Sequence, residues 1–146
     1  MGRMPCVLRP ALWGSLVLAA VAVTACGGSE NPNPTTPTVD TQIQVFSGTL
    51  TVNGAQNHVF TVPRQGGVLA VLSDLTPDGD TVGFFLGTQN GTLCTRVIAA
   101  AEAVEGTRIV GATSTAGELC VQIHDVGRLA ASVSYEIQVE YPEAAE

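Results

Sequence analysis

The chain of 146 residues reads as an all-β protein: an antiparallel β-sandwich, jelly-roll-like, of seven or eight strands. Three observations lead there. Short runs rich in β-branched and aromatic residues recur through the second two thirds of the chain, and turn signals separate them every 8–12 residues. The run at 132–141 alternates between apolar and polar residues, and that at 118–125 sets Leu119, Val121 and Ile123 on one face. A period of two with one apolar face belongs to a half-buried strand of an antiparallel sheet.

Before the first strand lies a different kind of sequence. Arg3 and Arg9 make a short basic region, and Ala11 to Ala25 is an apolar stretch. That stretch falls short of the roughly 20 apolar residues that a membrane-crossing helix needs. It ends at Val23-Thr24-Ala25-Cys26, followed by Gly27-Gly28-Ser29. A cysteine between small residues at that point resembles a bacterial lipoprotein signal peptide with its lipobox. The resemblance implies cleavage after residue 25, acylation of Cys26, and anchorage in a lipid bilayer by more than one chain. With Gly27 rather than aspartate after the cysteine, the expected address in a two-membrane cell is the outer membrane. An ordinary secretory signal is the rival reading, since Ala20-Val21-Ala22 also offers a cleavage site. Residues 26–40, with prolines at 32, 34 and 37 among Asn and Thr, read as a flexible linker reaching about 3 Å per residue.

The expected strands follow in order: Gln44–Val52, His58–Pro63, Val68–Ser73, Thr81–Thr88, Cys94–Ala99, Glu118–Asp125 and Ser132–Tyr141. Asn53-Gly54, Gly66-Gly67, Pro77-Asp78-Gly79, Asn90-Gly91 and Gly127 mark the turns. Ala99–Ala103 is ambiguous and could make a helical turn, though Gly106 soon stops it. A closed barrel is the alternative to the sandwich. Residues 143–146 form a short acidic tail.

The order FSGTL, a polar turn, HVFTVP, a glycine turn and VLAVLS resembles the opening of bacterial pre-peptidase C-terminal (PPC) domains. The stretch AGELCVQIHDVG followed by SVSYEIQVEYP is similar to that family's closing strand pair. The resemblance covers most of residues 43–142 and implies a non-enzymatic sandwich of the kind appended to exported peptidases and other exported enzymes. No peptidase precedes the domain in this chain, so an accessory role implies a hydrolase on a separate chain.

After Cys26 the basic residues are Arg64, Arg96, Arg108 and Arg128, set against all 13 acidic residues. This balance carries no electrostatic footprint for nucleic acid or for anionic membrane surfaces.

Few residues invite a chemical role. In an exported protein, Cys94 and Cys120 point to a disulfide. A zinc site using them with His124 and His58 fails on geometry. Cys120 and His124 lie four apart on a strand, about 13 Å between Cα atoms, too far to share an ion at about 2 Å per bond. His124-Asp125 makes no base–orienter pair while both sit on a strand, because neighbours face opposite sides. His58, on the face of Phe60 and Val62, is expected to cap the core near a strand end. Asp74, Asp78 and Asp80 share one inter-strand stretch with Gly79 and could supply oxygens to calcium. Pro77-Asp78-Gly79 is equally what a tight turn requires. No other cofactor is implied.

The expected function is a membrane-anchored, non-catalytic envelope module that binds a protein partner. The alternatives are a calcium-dependent or glycan-binding accessory domain and, behind both, an enzyme. The mature chain has no tryptophan, and Tyr135 and Tyr141 fall on the core-facing phase of their strand, which disfavours the aromatic platforms of glycan binders.

Overall fold

The computed structural model describes residues 40–144. The expected signal peptide 1–25, the expected lipid attachment at Cys26 with most of the expected linker, and the last two residues of the acidic tail lie outside the described residues. Eight strands form in order: β1 Thr41–Leu50, β2 Ala55–Val62, β3 Gly66–Thr76, β4 Val82–Asn90, β5 Leu93–Ala103, β6 Arg108–Thr113, β7 Gly117–His124 and β8 Val133–Pro142. They build two four-stranded antiparallel sheets, ordered β1-β8-β3-β6 (sheet A) and β2-β7-β4-β5 (sheet B). That order, in which the chain repeatedly crosses between sheets, is the jelly roll. The two sheets are separate, so the barrel alternative falls.

The interior is filled from the alternating strands. Val133, Tyr135, Ile137, Val139 and Tyr141 of β8 are all buried, as are Val121 and Ile123 of β7. Phe84 and Leu86 from β4 face Leu72 and Leu75 from β3 in the same core. The paired sheets hide the inward face of β8, and the two tyrosines go inward with it, while β4 is buried on both faces from Val82 to Gly87.

Two expectations change. Ala99–Ala103 is not a helical turn: it continues β5, which pairs with β4 through two register shifts. Its alanines fit closely beside Phe84, Phe85 and Val82, the residues they pair with, and this tertiary pairing overrides a helix-favouring composition. The eighth strand, Arg108–Thr113, lay in the 100–116 stretch where no run stood out. Its only buried residue is Ile109, so its apolar signal is one residue deep.

Candidate interaction surface

The disulfide forms between Cys94 of β5 and Cys120 of β7, Cα–Cα 5.9 Å. These strands are not neighbours, because β4 runs between them. Strands spaced at about 4.8 Å put second neighbours nearly 10 Å apart, so β5 must fold over β4 to be bridged. Gly87 permits it. A Cβ there would collide with the Thr95 carbonyl and come within 3.2 Å of Cys94 Sγ. The β4–β5 ladder shifts register at Leu86/Gly87, where this occurs. With both cysteines in the bridge, neither can ligate zinc.

His58 sits in the middle of β2 rather than near its end. It turns inward, stacks on Phe46 of β1 (ring centroids 4.8 Å) and shares a 2.8 Å hydrogen bond with Tyr135 Oη through Nε2. Burial lowers its pKa, so the ring is held neutral, and burial also raises that of Tyr135.

At His124, β7 ends, so His124 and Asp125 are no longer bound by strand alternation. They do not form a catalytic pair even so. Asp125 spends its carboxylate on four backbone N–H groups: Asn53 at 2.8 Å on one oxygen, and Gly127, Arg128 and Leu129 at 2.8, 3.0 and 3.2 Å on the other. The Asn53 N–H bond leads the causes that lower its pKa. Its work is to tie the 51–54 turn to the 125–132 loop. His124 Nδ1 is buried without a partner. Burial lowers the pKa of His124, the nearby Arg96 adds to this, and Asp125 opposes it. Arg96 itself lies over the Phe85 ring, 5.6 Å from its centroid.

The acidic stretch is split by the fold. Asp74 belongs to β3 and accepts a hydrogen bond from Thr76 Oγ1 at 2.9 Å, while Asp78 and Asp80 follow in the loop to β4. Among the described residues, no group of three His, Cys, Asp or Glu side chains is placed to hold a metal ion.

A shallow groove of about 1000 Å³ crosses the outer face of sheet A. Register explains its floor. Glu140, Leu69 and Val110 stand opposite one another on β8, β3 and β6, with Ile43 of β1 beyond Glu140 and outside the groove. Gly67 beside Ala112 leaves the next row low. Ile43 is 63 % exposed and Val110 71 % exposed. Thr41 donates to Glu140 (2.8 Å) at one side, and Arg64 closes the rim by donating to the main-chain carbonyls of Glu143 and Asp40. The groove is apolar at its base and runs across strands, a shape that receives a chain segment rather than enclosing a small molecule.

This face leaves little mark in the sequence. Its one legible trace is in TQIQVF, where apolar residues occupy both phases of β1: Phe46 turns in while Ile43 and Val45 turn out. No known family model matches the chain, and no curated protein matches it.

Proposed function

We propose that this chain is a lipid-anchored, non-catalytic module of the cell envelope that binds a protein partner through the outer face of sheet A. The apolar floor made by Leu69, Val110 and Ala112, with Val110 standing out into solvent, carries the reading, since exposed apolar patches rimmed by polar residues mark interaction sites. Acylated Cys26 supplies the attachment and the linker 26–40 holds the sandwich clear of the membrane. The jelly-roll order supports the kinship to PPC domains that the strand motifs of 41–142 suggest.

A photoreactive residue introduced at Val110 of the full chain in its own envelope tests the surface. Partner adducts are expected at Val110 that fall several-fold when Leu69→Lys is added, with none at Thr95 of β5 on sheet B. Equal labelling at both positions refutes the assignment. Cys26→Ser should release the chain from the membrane fraction, and its retention there refutes the anchor. Millimolar calcium is expected to leave the melting temperature of the chain unchanged. A rise abolished by Asp78→Asn or Asp80→Asn would move the functional site to the acidic loop, because selective binding must stabilise the native state.

A further inference from the structure

The sandwich treats its two sides differently. On one side the edge strands are β5 and β6. β5 carries Arg96 and Glu102 and is bulged twice, and β6 is six residues long and begins with Arg108. Charges, bulges and shortness are the means by which natural sheets block edge-to-edge pairing. On the other side the edges are β1 and β2, one from each sheet. Neither contains an Asp, Glu, Lys, Arg or Pro, and both run through unbroken registers of ten and eight pairs. Among the described residues, nothing pairs with their free edges.

The backbone phase of each edge is set by one hydrogen bond. Glu143 N–H donates to the Asp40 carbonyl at 2.9 Å, and Asp125 N–H donates to that of Gly54 at 3.0 Å. In antiparallel pairs the bonding alternates residue by residue. The even-numbered residues of β1 and β2 therefore bond inward to β8 and β7. Thr41, Ile43, Val45, Ser47 and Thr49 turn their N–H and C=O groups to the free edge of β1, and Ala55, Asn57, Val59 and Thr61 do so on β2. The Phe46–His58 ring stack sets the middles of the two strands opposite each other.

We infer that this side is the interface with a second copy of the chain. A single two-fold axis normal to the sandwich, passing by Val45 and His58, pairs β1 with β1 and β2 with β2 of the other copy at once, both antiparallel. Val45 then meets its own counterpart, Ile43 meets Ser47, and Asn57 meets Val59. Symmetry makes the copy self-complementary; a different protein would have to present two strands at the same spacing. A ten-residue strand is about 34 Å long and the two layers with their side chains are about 20 Å thick, so each copy covers roughly 700 Å², near the 800 Å² of a standard interface. The absence of charge on both strands lets two acidic chains meet there. The dimer joins the two A sheets into one eight-stranded surface and leaves both grooves open on it.

The test is cysteine trapping in the full chain at the membrane. Paired residues on bonded antiparallel strands sit about 5.5 Å apart at Cα, within disulfide reach. Val45→Cys should yield a non-reducing band of twice the chain mass. Thr49→Cys, about 27 Å from its counterpart, should yield none. The detergent-extracted wild type should sediment as a dimer. Val45→Pro removes an N–H that faces the free edge and so no internal ladder bond. That variant and Val45→Lys should sediment as monomers with an unchanged near-ultraviolet circular dichroism spectrum. A monomeric wild type, trapping at Thr49 as efficient as at Val45, a Val45→Cys adduct with some other protein, or a folded Val45→Lys variant that stays dimeric would each overturn the inference.

Discussion

Removing the Cys94–Cys120 bridge by the double change Cys94→Ala and Cys120→Ala should cost this domain a large share of its stability. The sequence separation is 26 residues. In the chain-entropy model a loop of that size restricts the unfolded chain by about 3.5 kcal/mol at 25 °C. A domain of roughly 100 residues shifts its melting temperature by about 4–5 °C per kcal/mol, so a fall of roughly 15 °C is expected. Alanine is the right replacement, because Cys120 is fully buried and serine would add the separate cost of an unpaired hydroxyl. The assay is thermal melting followed by circular dichroism, with urea titration beside it. Because the bridge acts mainly on the unfolded state, the native near-ultraviolet spectrum should persist while the urea slope rises as the freed chain exposes more surface. A fall of less than about 4 °C would refute the reasoning. So would a lost native spectrum, which would mean that the bridge holds β5 over β4 in the folded state rather than restricting the unfolded one.

Other outcomes follow from single contacts. Gly87→Ala should destabilise by about 1–3 kcal/mol, because the new methyl meets the Thr95 backbone carbonyl, which cannot swing aside as a side chain would. Equilibrium urea unfolding measures it, and a neutral result would show that β5 does not cross so closely. Stability should also fall in acid. His58 and His124 have folded pKa values below their unfolded one, so protonation favours the unfolded chain, and stability is lost as pH drops below about 6.5. Asp125, depressed in the fold, contributes stability above its unfolded pKa that disappears as pH falls through the folded one. Asp125→Ala should therefore lower the melting temperature at pH 7 and flatten the acid limb below pH 4; an unchanged limb refutes the role given to its four N–H bonds.

Much of the fold was legible because the strands that fill the core carry their burial as a period of two. In β8 five apolar residues alternate with polar ones, and each lies where that phase puts it. Cys94 and Cys120 are the two cysteines of residues 41–142, and the export that the N-terminal sequence suggests makes a bridge between them the expectation that the structure bears out. Where the signal was shallow the reading thinned. β6 buries one side chain, and Ala99–Ala103 has a composition that a helix accepts and only its β4 neighbours make into strand.

The sequence by itself determined the class of fold, the turns at Asn53-Gly54, Pro77-Asp78-Gly79 and Asn90-Gly91, the disulfide and the strands that cross the core, because burial and backbone conformation are written locally. Gly66-Gly67, expected as a turn, instead open β3 and pair with Thr113 and Ala112. Tertiary structure alone decided which strands became edges. The unguarded β1 and β2 lie on the same side only because the jelly-roll order brings residues 41–50 beside 133–142 and 55–62 beside 117–124. The same kind of pairing sets Leu69 beside Val110, separated widely in the chain, on the floor of one groove. It also placed Gly87 beneath Cys94 and spent the Asp125 carboxylate on the backbone. Such sites arise from long-range register, which no window of sequence contains.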